Sequence, residues 1–168
     1  MGNAYYRTQY HSAVGELTLA SDGENLAGLW LDGQKYFGGT IPGAMMRKDE
    51  LPVFSAAKDW LDCYFAGQKP DPAALPLAPI GGEFRQRVWR ILMEIPYGAV
   101  ITYGDIAKQM GTRGAQAVGG AVGHNPISII IPCHRVVGTN GKLTGYAGGL
   151  DKKRWLLEHE GVDFSKLK

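Results

Sequence analysis

Four prolines stand within the ten residues Pro70-Asp-Pro-Ala-Ala-Leu-Pro-Leu-Ala-Pro79. Each locks its own φ and removes a backbone donor, so neither a helix nor an internal strand can run through the segment. A chain of 168 residues is long enough for one large domain or for two small ones that share a core. The prolines are expected to form an extended linker over the surface. The expected division is residues 1–80, linker included, and residues 81–168.

The two pieces carry different periodicities. Tyr5 to His11 and Gly15 to Ala20 alternate, Asp22-Gly23 signals a turn, and Leu26 to Leu31 is a third strand candidate. Pro52 then opens a helical spacing through Val53, Phe54, Ala57, Trp60, Leu61, Tyr64 and Phe65 that stops at Gly67. The first piece therefore reads as a small antiparallel sheet with one helix. In the second, Phe84, Val88, Ile91 and Leu92 recur at helical spacing with Arg85, Arg87 and Arg90 between them, up to Pro96-Tyr-Gly98. Short helices follow at about Tyr103–Met110, ended by Gly111, and about Ala115–Val122, ended by Gly123-His-Asn-Pro126. A last helix runs from about Asp151 to His159. The fold class is α+β, with a mostly helical second half whose two short helices suggest a helix-turn-helix.

Nearly every side chain in Ala115-Gln-Ala-Val-Gly-Gly-Ala-Val122 is small. Such a helix can approach a neighbouring helix or a nucleic-acid groove very closely. It suits a minor groove only about 6 Å wide and is poorly equipped to read base edges in a major groove. The charge distribution agrees with a phosphate-facing second half: residues 1–80 hold 6 Lys/Arg and 9 Asp/Glu, and the remainder 12 and 7.

No apolar run approaches the roughly 20 residues of a membrane span, and the first residues lack the apolar stretch of a signal peptide. A cytoplasmic location, or a nuclear one in a eukaryote, is expected. The only cysteines are Cys63 and Cys133, too few and too far apart for a disulfide framework or a zinc site. Cys63, in Trp60-Leu-Asp-Cys-Tyr-Phe65, reads as a small buried hydrophobe. Cys133 differs. It follows the apolar, β-rich run Ile127-Ser-Ile-Ile-Ile131 and Pro132, and precedes His134, Arg135 and Val136-Val137. A thiol reacts as thiolate, and an adjacent histidine with cationic charge nearby favours that form.

The string Ile131-Pro-Cys-His-Arg-Val-Val137 resembles the active-site motif of the O6-alkylguanine-DNA alkyltransferases, or methylated-DNA–protein-cysteine methyltransferases. Ile101-Thr-Tyr-Gly-Asp-Ile-Ala107, Ala117-Val-Gly-Gly-Ala-Val-Gly-His-Asn-Pro126, Thr144-Gly-Tyr-Ala-Gly-Gly149 and Trp155-Leu-Leu-Glu-His-Glu-Gly161 look like further family motifs in family order. The first half matches only in length and strand pattern. The resemblance implies a ribonuclease H-like N-terminal domain, a winged helix-turn-helix-like C-terminal domain, and no cofactor or metal. It implies irreversible, single-turnover transfer of an alkyl group from O6-alkylguanine, and from O4-alkylthymine, in double-stranded DNA. It further implies a monomer in solution that can line up side by side on DNA.

Residue by residue, Cys133 would be the nucleophile, His134 its base through a water, and Glu160 the group that orients the imidazole. Tyr103 would donate its O–H to the departing guanine, and Asn125 would hold the active-site turn. Tyr146, Ala147, Gly148 and Val136 would line the base pocket, the Ala147 N–H facing O6. Ala115, Gln116, Ala117, Gly119 and Arg135 would meet DNA. Where the family carries an arginine that fills the space of a flipped base, this chain has Gln116, which brings no cation and less stacking area. Three other functions compete: a binding protein that accepts no alkyl group, disfavoured by the presence of Cys133; a Cys-His hydrolase, which would need an oxyanion hole; and a winged-helix regulator, disfavoured by the small-residue helix.

Overall fold

The computed structural model describes residues 4–111 and 114–167, the Lys166 side chain aside. The chain divides into two compact units, one made of the residues up to Ile80 together with Pro126–Ser128, the other of Gly81–Asn125 and the residues from Ile129 onward.

In the first unit, β1 (Tyr5–Ser12), β2 (Gly15–Ser21) and β3 (Leu26–Leu31) form the expected antiparallel meander. A short fourth strand, β4 (Met45–Arg47), adds to β1 in parallel, giving the order β3-β2-β1-β4. Three residues were too few to announce it in the sequence. All six residues of β3 are buried, so its pattern is a continuous apolar run rather than an alternation. Gly28 belongs to that packing: a Cβ there would come within 2.1 Å of the Trp30 indole. α1 (Pro52–Phe65) starts on its proline and contacts β1, β2 and β3; Val53, Phe54, Ala57, Trp60, Leu61 and Tyr64 are its buried residues. Each large apolar side chain among them contributes about 1.5–3 kcal/mol by burial.

The proline segment is not a surface linker throughout. After a 3-10 turn at Pro72–Ala74, Leu26 N–H donates to Pro76 O at 2.7 Å and Ala78 N–H to Leu26 O at 2.8 Å. The outer edge of β3 would otherwise expose unpaired backbone groups, and proline-bearing chain is tolerated at such an edge. The same edge takes up Pro126–Ser128. Leu29 N–H donates to Pro126 O at 2.8 Å, and Ser128 N–H donates to Leu29 O at 2.9 Å. That exchange explains why three residues so late in the chain belong to the first unit.

The second unit packs α2 (Glu83–Met93), α3 (Tyr103–Met110) and α4 (Ala115–Gly123) against one another. α3 begins with a reciprocal capping box between Thr102 and Asp105 and ends on Gly111 at φ 66°. The Trp89 indole N–H donates to Ala121 O at 2.8 Å, tying α2 to α4. Ile101–Thr102 (β5) and Val136–Val137 (β6) pair in parallel, and α5 spans Leu150–His159.

The run Ile127–Ile131 does not form the expected strand. Only Ile127 makes a bridge, and Ile129 adopts φ 72°, a left-handed conformation that a β-branched side chain enters at a cost. A straight strand would carry the chain onward along β3. The left-handed residue breaks that course, and pairing with β3 ends at Ser128.

Candidate active site

Cys133 lies on a 3-10 turn, Cys133–Arg135, rather than at a strand end. Pro132, at φ −82° and ψ 66°, closes an inverse γ-turn in which Cys133 N–H donates to Ile131 O at 2.8 Å. The Asn125 amide donates to the same carbonyl at 2.8 Å and also bonds the Cys133 thiol. Asn125 thus ties the end of α4 to the turn that carries Cys133.

His134 and Glu160 are wholly buried, with Nε2 of the imidazole 2.6 Å from Oε2 of the carboxylate. Arg135 grips the same carboxylate with two nitrogens, Nε to Oε1 at 2.7 Å and Nη2 to Oε2 at 3.1 Å. Its Nη1 donates to Ile95 O at 2.7 Å. Burial pushes Glu160 up, but the bonds and charges of His134 and Arg135 outweigh it and hold the carboxyl well below the usual range. Burial dominates at His134 and keeps the imidazole neutral. An ionised Glu160 accepts from Nε2–H, which leaves Nδ1 as the basic nitrogen; no protein group bonds that buried atom.

Two expectations change here. Arg135 is not available to DNA: it is 7% exposed and its guanidinium is committed to Glu160 and Ile95. Nor does the sequence-adjacent positive charge activate the thiol, because Glu160 neutralises it. Burial pushes the Cys133 thiol up, against the opposing pull of Asn125 and of Lys153.

Tyr103 is the first residue of α3, and its hydroxyl lies 3.7 Å from where a Cβ on Gly145 would stand. Burial, then the proximity of Cys133, raises the phenol's pKa, so it remains a proton donor. Tyr146, Ala147 and Gly148 form a half-buried turn closed by Gly149 N–H to Tyr146 O at 3.0 Å. Val136, expected to line the pocket, is wholly buried in β6 with its carbonyl bonded to Lys153.

On α4, Gln116, Gly119, Gly120 and Gly123 share one face, opposite the buried Val118, Ala121 and Val122. Ala115, Gln116 and Ala117 are exposed. A Cβ added at any of the three glycines would meet nothing within 4 Å. The fold itself therefore does not require glycine there. Lys108 on α3 and Lys142 are exposed.

Lys153 is the residue that sequence reading missed. In Asp151-Lys-Lys-Arg154 it looks solvated, yet it is 0% exposed. Its position three and four residues before the buried Leu156 and Leu157 was the available signal.

A buried thiol with an orienting amide, beside a neutral imidazole backed by a carboxylate, has the make-up of a cysteine-nucleophile site, in a unit that also packs α3 against α4. Comparison with known proteins narrows the class. The family model described as "6-O-methylguanine DNA methyltransferase, DNA binding domain" matches residues 83–162, and "6-O-methylguanine DNA methyltransferase, ribonuclease-like domain" matches residues 5–79. A methylated-DNA–protein-cysteine methyltransferase of Haemophilus influenzae is 43% identical over 96% of this chain and 89% of its own. One of Mycobacterium bovis is 48% identical over 93% and 92%. Among solved structures, Mycobacterium tuberculosis OGT in complex with DNA superposes with a TM-score of 0.80 at 43% identity, covering 98% of this chain and 94% of that one. The chain belongs to the 6-O-methylguanine DNA methyltransferase family.

Proposed function

We propose that this protein repairs alkylated DNA by moving the alkyl group from O6 of guanine, and from O4 of thymine, to Cys133. The observation that carries the reading is the buried series Cys133, His134 and Glu160, with Asn125 on the thiol. The thiol proton passes through a water to Nδ1 of His134, whose imidazolium Glu160 stabilises. Sγ displaces guanine at the alkyl carbon: the C–S bond forms, the C–O6 bond breaks, and its electron pair leaves with the base. Tyr103 meets the negative charge that develops on the ring, and the thiol's proton is finally returned to guanine. Because the product is a thioether, each chain reacts once.

Cys133 is 6% exposed, and a stacked base cannot reach it, so the nucleotide leaves the duplex. The Gln116–Gly123 face of α4 enters the minor groove, Gln116 takes the space of the extruded base, and the turn at Tyr146–Gly148 receives it. The Ala147 N–H serves O6, since alanine brings no hydroxyl. The protein acts as a monomer and without a cofactor.

Intact-protein mass after incubation with duplex DNA containing O6-methylguanine tests the reading. The wild type gains one methyl group and stops; Cys133→Ala gains none while still binding DNA. Methylation of that variant elsewhere, at Cys63 for example, would refute the assignment, and so would repeated turnover.

A further inference from the structure

α4 is poorly equipped to hold its own shape. Three of its nine residues, Gly119, Gly120 and Gly123, are glycine, the weakest helix former after proline. Among the described residues no side chain caps its first turn, which carries no acid, and its last turn carries no base. Nine residues are in any case too few for a stable isolated helix in water. α3 is one residue shorter, yet it has a capping box and a left-handed glycine stop. The order of α4 must therefore come from its neighbours.

One neighbour makes a directed bond to it. His124 N–H donates to Gly120 O at 3.0 Å and Asn125 N–H to Val122 O at 3.2 Å, so these terminal backbone bonds pass over Ala121 O. The Trp89 indole N–H, from α2, donates to that carbonyl at 2.8 Å. Trp89 is wholly buried, and the far edge of its ring is confined as well. A Cβ on Gly81 would stand 2.5 Å from its Cη2, and Gly81 does not have positive φ. Glycine is needed there for the close approach of the ring rather than for the backbone conformation.

We propose that Trp89 is the positioning residue of α4: by bonding Ala121 O it keeps the last turn of that helix wound and its glycine face ready for DNA. The inference rests on the placement of the Gln116–Gly123 face in the minor groove, and names what holds that face in shape beforehand. A helix already ordered loses little conformational entropy on binding, whereas one that must wind on the duplex gives up affinity to do so. Glycines leave the face free of side chains but weaken the helix, and the indole bond offsets that weakness. Asn125 leaves the same turn but has its own bond to Ile131 O, so the surroundings of the thiol depend less on the indole.

The test uses Trp89→Phe, which keeps an aromatic ring in the core and removes the indole N–H. Amide hydrogen exchange read by NMR follows α4, anisotropy of a labelled undamaged duplex follows DNA binding, and free O6-benzylguanine follows transfer without DNA. The amides of Gly119 to Asn125 should exchange about tenfold faster, while those of α3 and of the first unit's sheet keep their wild-type protection. Duplex affinity should fall by about tenfold. Transfer from the free base should change by no more than about twofold. Adding Gly119→Ala and Gly120→Ala to Trp89→Phe should restore the protection of α4, because alanine supplies the helix propensity that the bond had offset.

Wild-type exchange in α4 of Trp89→Phe overturns the proposal, and so does a loss of protection spread evenly over the unit. Wild-type duplex affinity in a variant whose α4 has loosened overturns it equally. If Trp89→Phe does not fold, the wild type decides. Its Trp89 indole proton should exchange together with the His124 and Asn125 amides, and faster, independent exchange of the indole overturns the proposal. A wild type that never reacts with O6-benzylguanine would remove the proposed function and leave the exchange result for α4 standing.

Discussion

Replacing Gly119 and Gly120 by alanine separates what α4 needs to fold from what it needs to meet DNA. Neither glycine has positive φ, and a Cβ at either position would meet nothing within 4 Å. Alanine should therefore gain most of its helix-propensity advantage, about 1 kcal/mol per site. For a protein of this size that corresponds to about 2–4 °C in Tm for each substitution. Neither position touches Cys133, His134 or Glu160, so transfer from free O6-benzylguanine should be unchanged. Duplex DNA is different. Two methyl groups on the face that enters a groove about 6 Å wide push the helix axis outward and lengthen every contact beside it. Affinity should drop about tenfold or more, equivalent to roughly 1.4 kcal/mol. Fluorescence anisotropy with a labelled duplex, thermal unfolding, and the free-base rate together give the answer. A stabilised double variant with wild-type DNA affinity would refute the placement of this face in the groove. A destabilised variant would refute the claim that the space is open.

Gln116→Arg should speed transfer from duplex DNA, since extrusion costs a few kcal/mol and the longer cation offsets part of it, while the free-base rate stays level. Equal effects on both substrates would show that Gln116 acts on folding or on the pocket. Glu160→Gln leaves the buried Arg135 guanidinium without its counter-charge, and should cost about 3–5 kcal/mol on chemical denaturation together with most of the transfer activity. Because Glu160's carboxyl is held below its usual range, its stabilisation is complete above an unfolded value of about 4.3 and is lost as pH falls toward the folded value. Denaturation midpoints of Glu160→Gln should accordingly show a flatter acid limb than the wild type. Lys153 acts with the same sign at the alkaline end of the range. Its folded value of about 8 lies below the unfolded one of about 10.4, so stability should rise with pH between them. That rise should vanish in Lys153→Met.

The sequence by itself determined the local features of this protein. Three strands ended by Gly and Asp-Gly signals, a helix opened by Pro52, and short helices closed by Gly111 and by Gly123-His-Asn-Pro126 all follow from period, cap and breaker, which act within one turn of chain. The candidate site was also readable, because Pro132, Cys133, His134 and Arg135 are contiguous. Only tertiary structure decided the charge state of the site. Arg135 and Glu160 are 25 residues apart, and their mutual neutralisation depends on where α5 ends relative to the turn at Cys133. The same holds for Lys153, whose neighbours in sequence are polar and whose neighbours in space are carbonyls. Tertiary pairing likewise overrode local propensity at Ile127–Ile131. The run has the composition of a strand, but its pairing with β3 ends at Ser128, and Ile129 is left-handed. Propensity is a matter of about 1 kcal/mol per residue, whereas burying an unpaired backbone group or charge costs several, and the larger quantity prevails.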